Sequence, residues 1–280
     1  MAFDLDLYLE RIRLAERPQP DAAGLLALQR AHRLAIPFEN LDIFLGRAIR
    51  VDSDSVFAKL VTARRGGYCF EHNRLFLDAL DALGFQARPL LARVWLGAEH
   101  VPPLTHAISL VTIDSVEWVA DTGFGGSYVP PMPLADGEEA VGPDGARFRL
   151  SRDPAYGWML DRHGDPATTD GRASFAEPEV YHGAQYSFGL ETVYPSDMAL
   201  GNHWTSTAPG TRFTTLRLAS LVLPNGFASL NDRNYHRRNS DNEAHGEITD
   251  PRVYRMRLSM MFGIDMTVDE VAQLGLFATT

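Results

Sequence analysis

The chain carries one cysteine in 280 residues, Cys69, within RRGGYCFEHN from Arg64 to Asn73. A thiol becomes a nucleophile as its thiolate. The first turn of a helix favours that form, because unpaired N–H groups and the positive end of the helix dipole meet there. The neighbours supply such a setting: Gly66 and Gly67 allow a tight turn and the close approach of a ligand, and NRLFLDALDALGF keeps helical spacing up to a stop at Gly84. An imidazole to hold the thiol proton and a carboxylate to fix its tautomer would complete a Cys-His-Asp triad. THAISLVTIDSVEWVADTGFGG, from Thr105 to Gly126, offers both in His106 and Asp121. Each residue also has a plainer reading: Cys69 as a small buried side chain, His106 as a strand-end histidine bonded to backbone, Asp121 as a turn cap. His72, three positions after Cys69, is a rival base, but no acid of defined geometry accompanies it. Cys69 and His72 lack a second ligand pair, so no metal site is expected.

Two elements must position these residues. A helix opening at Cys69 presents the thiol, and a β-hairpin presents the other two. His106 starts an apolar run that ends at Ile113, Asp114 and Ser115 form the turn, Val116 to Ala120 runs back, and Asp121 closes the second strand before a Gly-rich turn. With the turn centred on Asp114 and Ser115, His106 faces Gly123 and Asp121 is its diagonal neighbour. Such diagonal pairs lie roughly 7 Å apart, within reach of an imidazole and a carboxylate. A three-residue loop would shift the register by one and part them.

Around this centre the first third reads as helices. Leu5, Tyr8, Leu9 and Ile12 share one face of Phe3–Leu14. Asp21 caps AAGLLALQRAHRL, which turns Leu25, Leu28 and Ala31 inward, carries His32 as a surface or packing residue, and stops before Pro37. Asp52 and Ser53 cap a third helix over Asp54–Ala63. Glu39 and the pair Arg64 and Arg65 are either solvated charges or one ion pair locking the Cys69 loop onto the PFEN turn. After Gly84 the pattern becomes short strands: Ala87–Leu96, which brings Val94 and Trp95 toward the hairpin, then ARFRLSR, YGWMLDR and YSFGL, with a turn-rich excursion at Asp161–Ala173. Asp197–His203 reads as a short helix or turn. FTTLRLASLVL, the turn at Pro224–Gly226 and FASLNDRNYHRR form a meander in which Arg237 and Arg238 are a solvated basic patch. Thr267 and Glu270 have the capping-box spacing of a terminal helix. The expected fold is α+β: a helical bundle over 1–85, an antiparallel β-barrel over 86–196 and an α/β lid over 197–280, with the triad at the junction of the first two.

Composition sets bounds on function. Twenty-six basic against thirty-six acidic residues leave a net charge of −10, which argues against nonspecific nucleic-acid or anionic-membrane binding. One cysteine excludes an internal disulfide, and MAFDLDLYLE has no long apolar core, so neither a signal peptide nor a membrane span is expected and the compartment is read as cytoplasmic.

RGGYCFEHN, the histidine opening an apolar strand, and DTGFGG together resemble the signature segments of the arylamine N-acetyltransferases. IPFENL, from Ile36 to Leu41, and NHWTSTAPGTRF, from Asn202 to Phe213, are similar to two further segments of that family. The resemblance implies a cysteine-protease-like core in which Cys69 accepts the acyl group, His106 is its base and Asp121 the orienting acid. It implies acetyl-CoA as donor co-substrate, no metal, and an arylamine or arylhydrazine acceptor, with O-acetylation of N-hydroxyarylamines as a related activity in xenobiotic metabolism. Phe38, Val94 and Phe124 would line the acceptor site, and Trp95, Gly125 and Gly126 would contact the cofactor, in a monomer or homodimer. Ala208 departs from the family pattern, which has a histidine there. Trp204 and Phe213 read as packing residues. The chemistry of the triad alone also suits a cysteine hydrolase or a related amide synthase, and a buried, inert Cys69 would suit a binding module.

Overall fold

Aspartates open the first helices. Asp4, Asp21 and Asp52 accept the backbone N–H of Leu7, Gly24 and Ser55, satisfying donors that the first helical turn leaves free. The computed structural model describes residues 3–126, 128–165, 181–239 and 242–277. Its first third holds α1 (Leu5–Arg11), α2 (Ala22–Ala35), the short strand β1 (Phe38–Glu39), α3 (Leu41–Phe44), α4 (Ser53–Phe57) and α5 (Cys69–Ala82). The helix expected over Phe3–Leu14 is shorter because Arg13 takes a positive φ of 58°. The one expected over Asp54–Ala63 ends in a π-helical turn, Ala58–Thr62. Leu25 and Leu28 are fully buried against Tyr8, Leu75, Phe76 and Leu80, each such side chain contributing about 1.5–3 kcal/mol by leaving water. His32 is also fully buried, so it packs rather than faces solvent.

The middle of the chain forms β2 (Gln86–Val94), β3 (Leu104–Ile113), β4 (Val116–Ala120), β5 (Met132–Pro133), β6 (Glu139–Val141), β7 (Arg147–Asp153), β8 (Gly157–Gly164) and β9 (Tyr181–Phe188). They make one antiparallel sheet, ordered β5-β4-β3-β2-β9-β8-β7-β6, that curls into a nearly closed barrel around Leu90, Ile108, Leu110, Phe148, Leu150 and Phe188. The expected hairpin register is observed, with Ile113 opposite Val116 and Ser109 opposite Ala120. Asp114 and Ser115 both take positive φ, 48° and 65°, as a two-residue turn that matches strand twist requires. Of the expected excursion at Asp161–Ala173, 161–164 extend β8 and 166–173 lie outside the described residues.

The last third contains α6 (Pro195–Thr207), α7 (Arg212–Thr215), β10 (Leu218–Leu223), β11 (Gly226–Asn231), β12 (Asn234–Asn239), β13 (Glu243–Glu247), α8 (Pro251–Phe262) and α9 (Val268–Gln273). FASLNDRNYHRR is two strands, because the chain reverses at Asp232, whose φ is +48°. The sheet runs β1-β10-β11-β12-β13, so its edge strand comes from the PFEN turn of the first third. Asn40 reinforces that join: its amide donates to the carbonyls of Phe213 and Leu216 at 2.9 and 2.8 Å and accepts from Leu218 at 2.7 Å. Tyr254, Leu258 and Phe262 of α8 cover one face of the sheet against Ala219, Ala228 and Leu230. Among the described residues no helix is long and apolar enough to cross a membrane.

Candidate active site

Cys69 is the first residue of α5, and the loop before it is held on several sides. Arg65 donates to Glu39 Oε1 through Nε and Nη2 at 3.0 and 2.7 Å, and Glu39 is wholly buried. Lys59 Nζ lies 2.8 Å from both Asp42 Oδ2 and Glu71 Oε1, while Glu71 Oε2 accepts the Tyr68 N–H at 3.1 Å. Of the two readings of Glu39, the ion pair is therefore the one observed, with Arg65 and not Arg64 as partner. This packing requires Gly66 and Gly67: a Cβ on Gly66 would stand 2.2 Å from Pro37 O, and one on Gly67 2.7 Å from Glu71 Oε2.

The hairpin delivers His106 and Asp121 to the thiol. His106 Nε2 lies 2.7 Å from Asp121 Oδ2, and Cys69, His106 and Asp121 are each only 3% exposed. A carboxylate accepts, so Nε2 carries the proton and Nδ1 is left for the thiol. Burial alone would lower the basicity of His106, but the Asp121 charge, its hydrogen bond and Cys69 more than offset this and raise its pKa to about 9. Burial pushes the Asp121 carboxyl up, yet His106, the Gly123 N–H at 2.8 Å and the Arg33 charge hold it below the usual range. Cys69 Sγ also approaches Thr105 O at 3.7 Å. The rival base is engaged elsewhere: His72 Nε2 donates to Pro37 O at 3.1 Å and Nδ1 accepts from His32 Nε2 at 2.9 Å, and burial lowers its pKa to about 3.

A cavity of about 410 Å³ opens above Cys69 and His106, and Phe38, Val94 and Phe124 line it. Trp95 does not. Adjacent strand residues point to opposite faces, and its indole turns outward to donate to Ser187 Oγ at 2.9 Å and pack edge-on against Tyr156. Gly125 and Gly126 do not line the cavity either. A Cβ on Gly125, where φ is +81°, would meet the Phe38 ring at 3.0 Å, and the Gly126 carbonyl accepts from Arg33. Trp204 and Phe213, read as packing residues, do line the cavity, as does Arg212. Phe213 meets Phe38 and Tyr68 at ring distances of 6.0 and 5.4 Å.

Four neighbours of the triad carried no sequence signal of their own. Asn73, one turn after Cys69, donates to Ala107 O at 2.6 Å, Cys69 O at 3.2 Å and Asp121 Oδ1 at 3.4 Å, and so ties helix to hairpin. Tyr186 packs its ring 5.2 Å from both His106 and Phe124. Gln29 and Arg33 interrupt the inward face of α2 with polar groups, which is the one pattern that could have marked them. Among the described residues no cluster of three or more His, Cys, Asp or Glu could hold a metal. Chemically, the arrangement can pass an acyl group through a thioester: a thiol, an imidazole and a carboxylate lie beneath an aromatic-walled cavity.

A model of the N-acetyltransferase family matches residues 21–271. The arylamine N-acetyltransferase / N-hydroxyarylamine O-acetyltransferase of Salmonella typhimurium is 35% identical over 233 residues, 83% of this chain and 77% of the relative. The solved structure of the arylamine N-acetyltransferase from Salmonella typhimurium superposes with a TM-score of 0.86 at 31% identity, covering 96% of this chain and 97% of that one. The Mycobacterium marinum arylamine N-acetyltransferase in complex with CoA gives a TM-score of 0.83 at 28% identity over 97% of this chain and 98% of that one.

Proposed function

We infer, from the premise that the chain belongs to the arylamine N-acetyltransferase family, that it carries an acetyl group from acetyl-CoA to the amino nitrogen of arylamines and arylhydrazines by way of a thioester on Cys69. The observation that carries this reading is the 2.7 Å bond between buried His106 and Asp121, set beside a lone thiol at the base of an aromatic cavity.

In the first half-reaction His106 takes the thiol proton through Nδ1, and its imidazolium is held by Asp121. The Cys69 thiolate attacks the acetyl carbonyl. Exchange of one thioester for another is nearly balanced in energy, so cysteine suits the step better than serine. The tetrahedral oxyanion needs donors, and the N–H of Cys69 at the start of α5 is one candidate. Collapse releases the CoA thiolate, which takes the His106 proton. The amine then attacks the acetyl-enzyme, His106 accepts the excess proton from nitrogen, and Cys69 leaves as thiolate. Phe38, Val94, Phe124 and Phe213 keep water from the intermediate. The CoA complex of the Mycobacterium marinum relative supports a CoA-borne donor, and the Salmonella typhimurium relative's name extends the acceptors to N-hydroxyarylamines. The same proposal includes a cytoplasmic location and a division into bundle, barrel and lid at 85/86 and 196/197.

Initial rates with acetyl-CoA and an arylamine varied together test this order. Parallel double-reciprocal lines are expected of a covalent intermediate, and lines that intersect would contradict it.

A further inference from the structure

We propose that Arg33 of α2 is a positioning residue of the site, clamping the loop 121–126 against Cys69 and supplying the buried positive charge that offsets Asp121. The proposal rests on the reading of Cys69, His106 and Asp121 as the reacting set.

The clamp is a matter of geometry. Arg33 is only 4% exposed and is directed at backbone: Nη1 donates to Thr122 O at 3.1 Å and Nη2 to Gly126 O at 2.7 Å. One helical turn earlier, Gln29 Oε1 accepts the Asp121 N–H at 2.8 Å and its Nε2 donates to Val129 O at 2.6 Å. A single face of α2 thus grips the loop at both ends. Between the grips the loop touches the whole reacting set. The Gly123 backbone lies so close to α5 that a Cβ there would stand 2.6 Å from Cys69 Cα, and the Phe124 ring packs edge-on to His106 at 5.3 Å. A shift in the loop would therefore move the acid, the acceptor wall and the ring contact of the base together.

The charge argument follows from the same placement, because Arg33 donates to the carbonyl of Thr122, the residue next to Asp121. A guanidinium removed from water is unfavourable unless an opposite charge or hydrogen bonds compensate it. The titratable groups facing Arg33 are Asp121 from the loop, Tyr128 just after it, His32 from its own helix and His72 from α5. Burial keeps both histidines and the tyrosine neutral, so of these four groups Asp121 bears the charge opposite to that of Arg33. When the thiol proton moves to His106, the buried set holds thiolate, imidazolium, carboxylate and guanidinium, and its net charge is zero. With His106 protonated, loss of the thiol proton to solvent takes this set from +1 to zero; without Arg33 the same loss takes it from zero to −1, which works against forming the thiolate.

Wild type, Arg33→Met and Arg33→Lys separate the two roles. The readouts are the rate of Cys69 alkylation by iodoacetamide as a function of pH, the rate of Cys69 acetylation by acetyl-CoA, and a thermal melt to establish folding. Arg33→Met is expected to move the acid-side midpoint of alkylation up by about one pH unit, slowing alkylation about tenfold below it, and to slow acetylation at least as much. Arg33→Lys keeps the charge but cannot fork to both carbonyls, so its midpoint returns to within about 0.3 unit of wild type while acetylation stays several-fold slow. A folded Arg33→Met protein with a wild-type midpoint and acetylation within twofold would overturn the proposal. If Arg33→Met does not fold, Arg33→Lys decides: a wild-type acetylation rate overturns the clamp, and a slow one at an unmoved midpoint supports it. Wild type that alkylates normally but takes no acetyl group would defeat the donor reading alone, since alkylation needs no donor.

Discussion

His106 owes most of its basicity to one neighbour. Burial alone would make this imidazole a weak base, and Asp121, with a smaller share from Cys69, reverses that and raises its pKa to about 9. Asp121→Asn keeps the shape and removes the charge, so His106 should fall back toward its desolvated, less basic state. Acetylation of Cys69 is then expected to drop by ~10³–10⁴-fold at neutral pH, the scale on which triads lose rate when the acid is neutralised. Stopped-flow release of CoA measures this, and a loss below tenfold would mean that Asp121 only shapes the turn.

At the scale of elements, the site is where helix α5 meets the β3-β4 hairpin and the loop after it. Gly123 is the contact that permits their approach, since a Cβ there would stand 2.6 Å from Cys69 Cα and 2.6 Å from Asn73 Nδ2. Neither can yield without moving the helix. Gly123→Ala is expected to lower stability by about 1–3 kcal/mol and to slow acetylation at least tenfold, whereas Gly246→Ala, on an exposed strand with nothing within 4 Å, should be near neutral. Chemical denaturation of the two variants checks both halves. The elements that carry the triad were legible in the sequence because local rules specify them: a 3.6-residue period and glycine stop for α5, and a two-residue turn that sets the register of the hairpin. The cavity wall was legible in part. Val94 and Trp95 are neighbours in sequence, but their sides depend on a register shift at Ala92/Arg93 that alternation alone does not reveal. Trp204 and Phe213 line the cavity above Cys69 from an α6–α7 segment that Asn40 and Tyr68 bind to the first third; Tyr68 Oη bonds to Asn202. No local pattern encodes that contact. Gln29 and Arg33 are not legible as site residues because polar residues on a helix usually face water, and here they face a loop about 90 residues away.

For the whole molecule, buried histidines are expected to set a pH optimum of stability. Tyr8 Oη donates to His32 Nδ1 at 2.9 Å, His32 Nε2 to His72 Nδ1 at 2.9 Å and His72 to Pro37 O, so both imidazoles are neutral in the fold. Burial lowers His72 to about 3 and His32 well below its ordinary value. The unfolded chain protonates these groups near pH 6.5 while the folded one does not, so stability falls as pH drops below about 6.5, by up to about 1.4 kcal/mol per pH unit for each. His106 acts in the opposite sense. Its folded pKa of about 9 lies above the unfolded value, so its contribution is full below about pH 6.5 and is lost as pH rises toward 9. Tm should therefore peak between about pH 6 and 7. His106→Ala should remove the decline on the alkaline side and keep the decline just below pH 6.5 that His32 and His72 cause, which a calorimetric pH series would show.

The covalent intermediate on Cys69 is the central claim, and intact-mass measurement tests it most directly. Stoichiometric protein is mixed with acetyl-CoA in the absence of amine, alongside Cys69→Ala. Gain of one acetyl group by wild type alone, lost on adding an arylamine such as 4-aminobenzoate, is the predicted result. No gain by folded wild type, or an equal gain by Cys69→Ala, would contradict it.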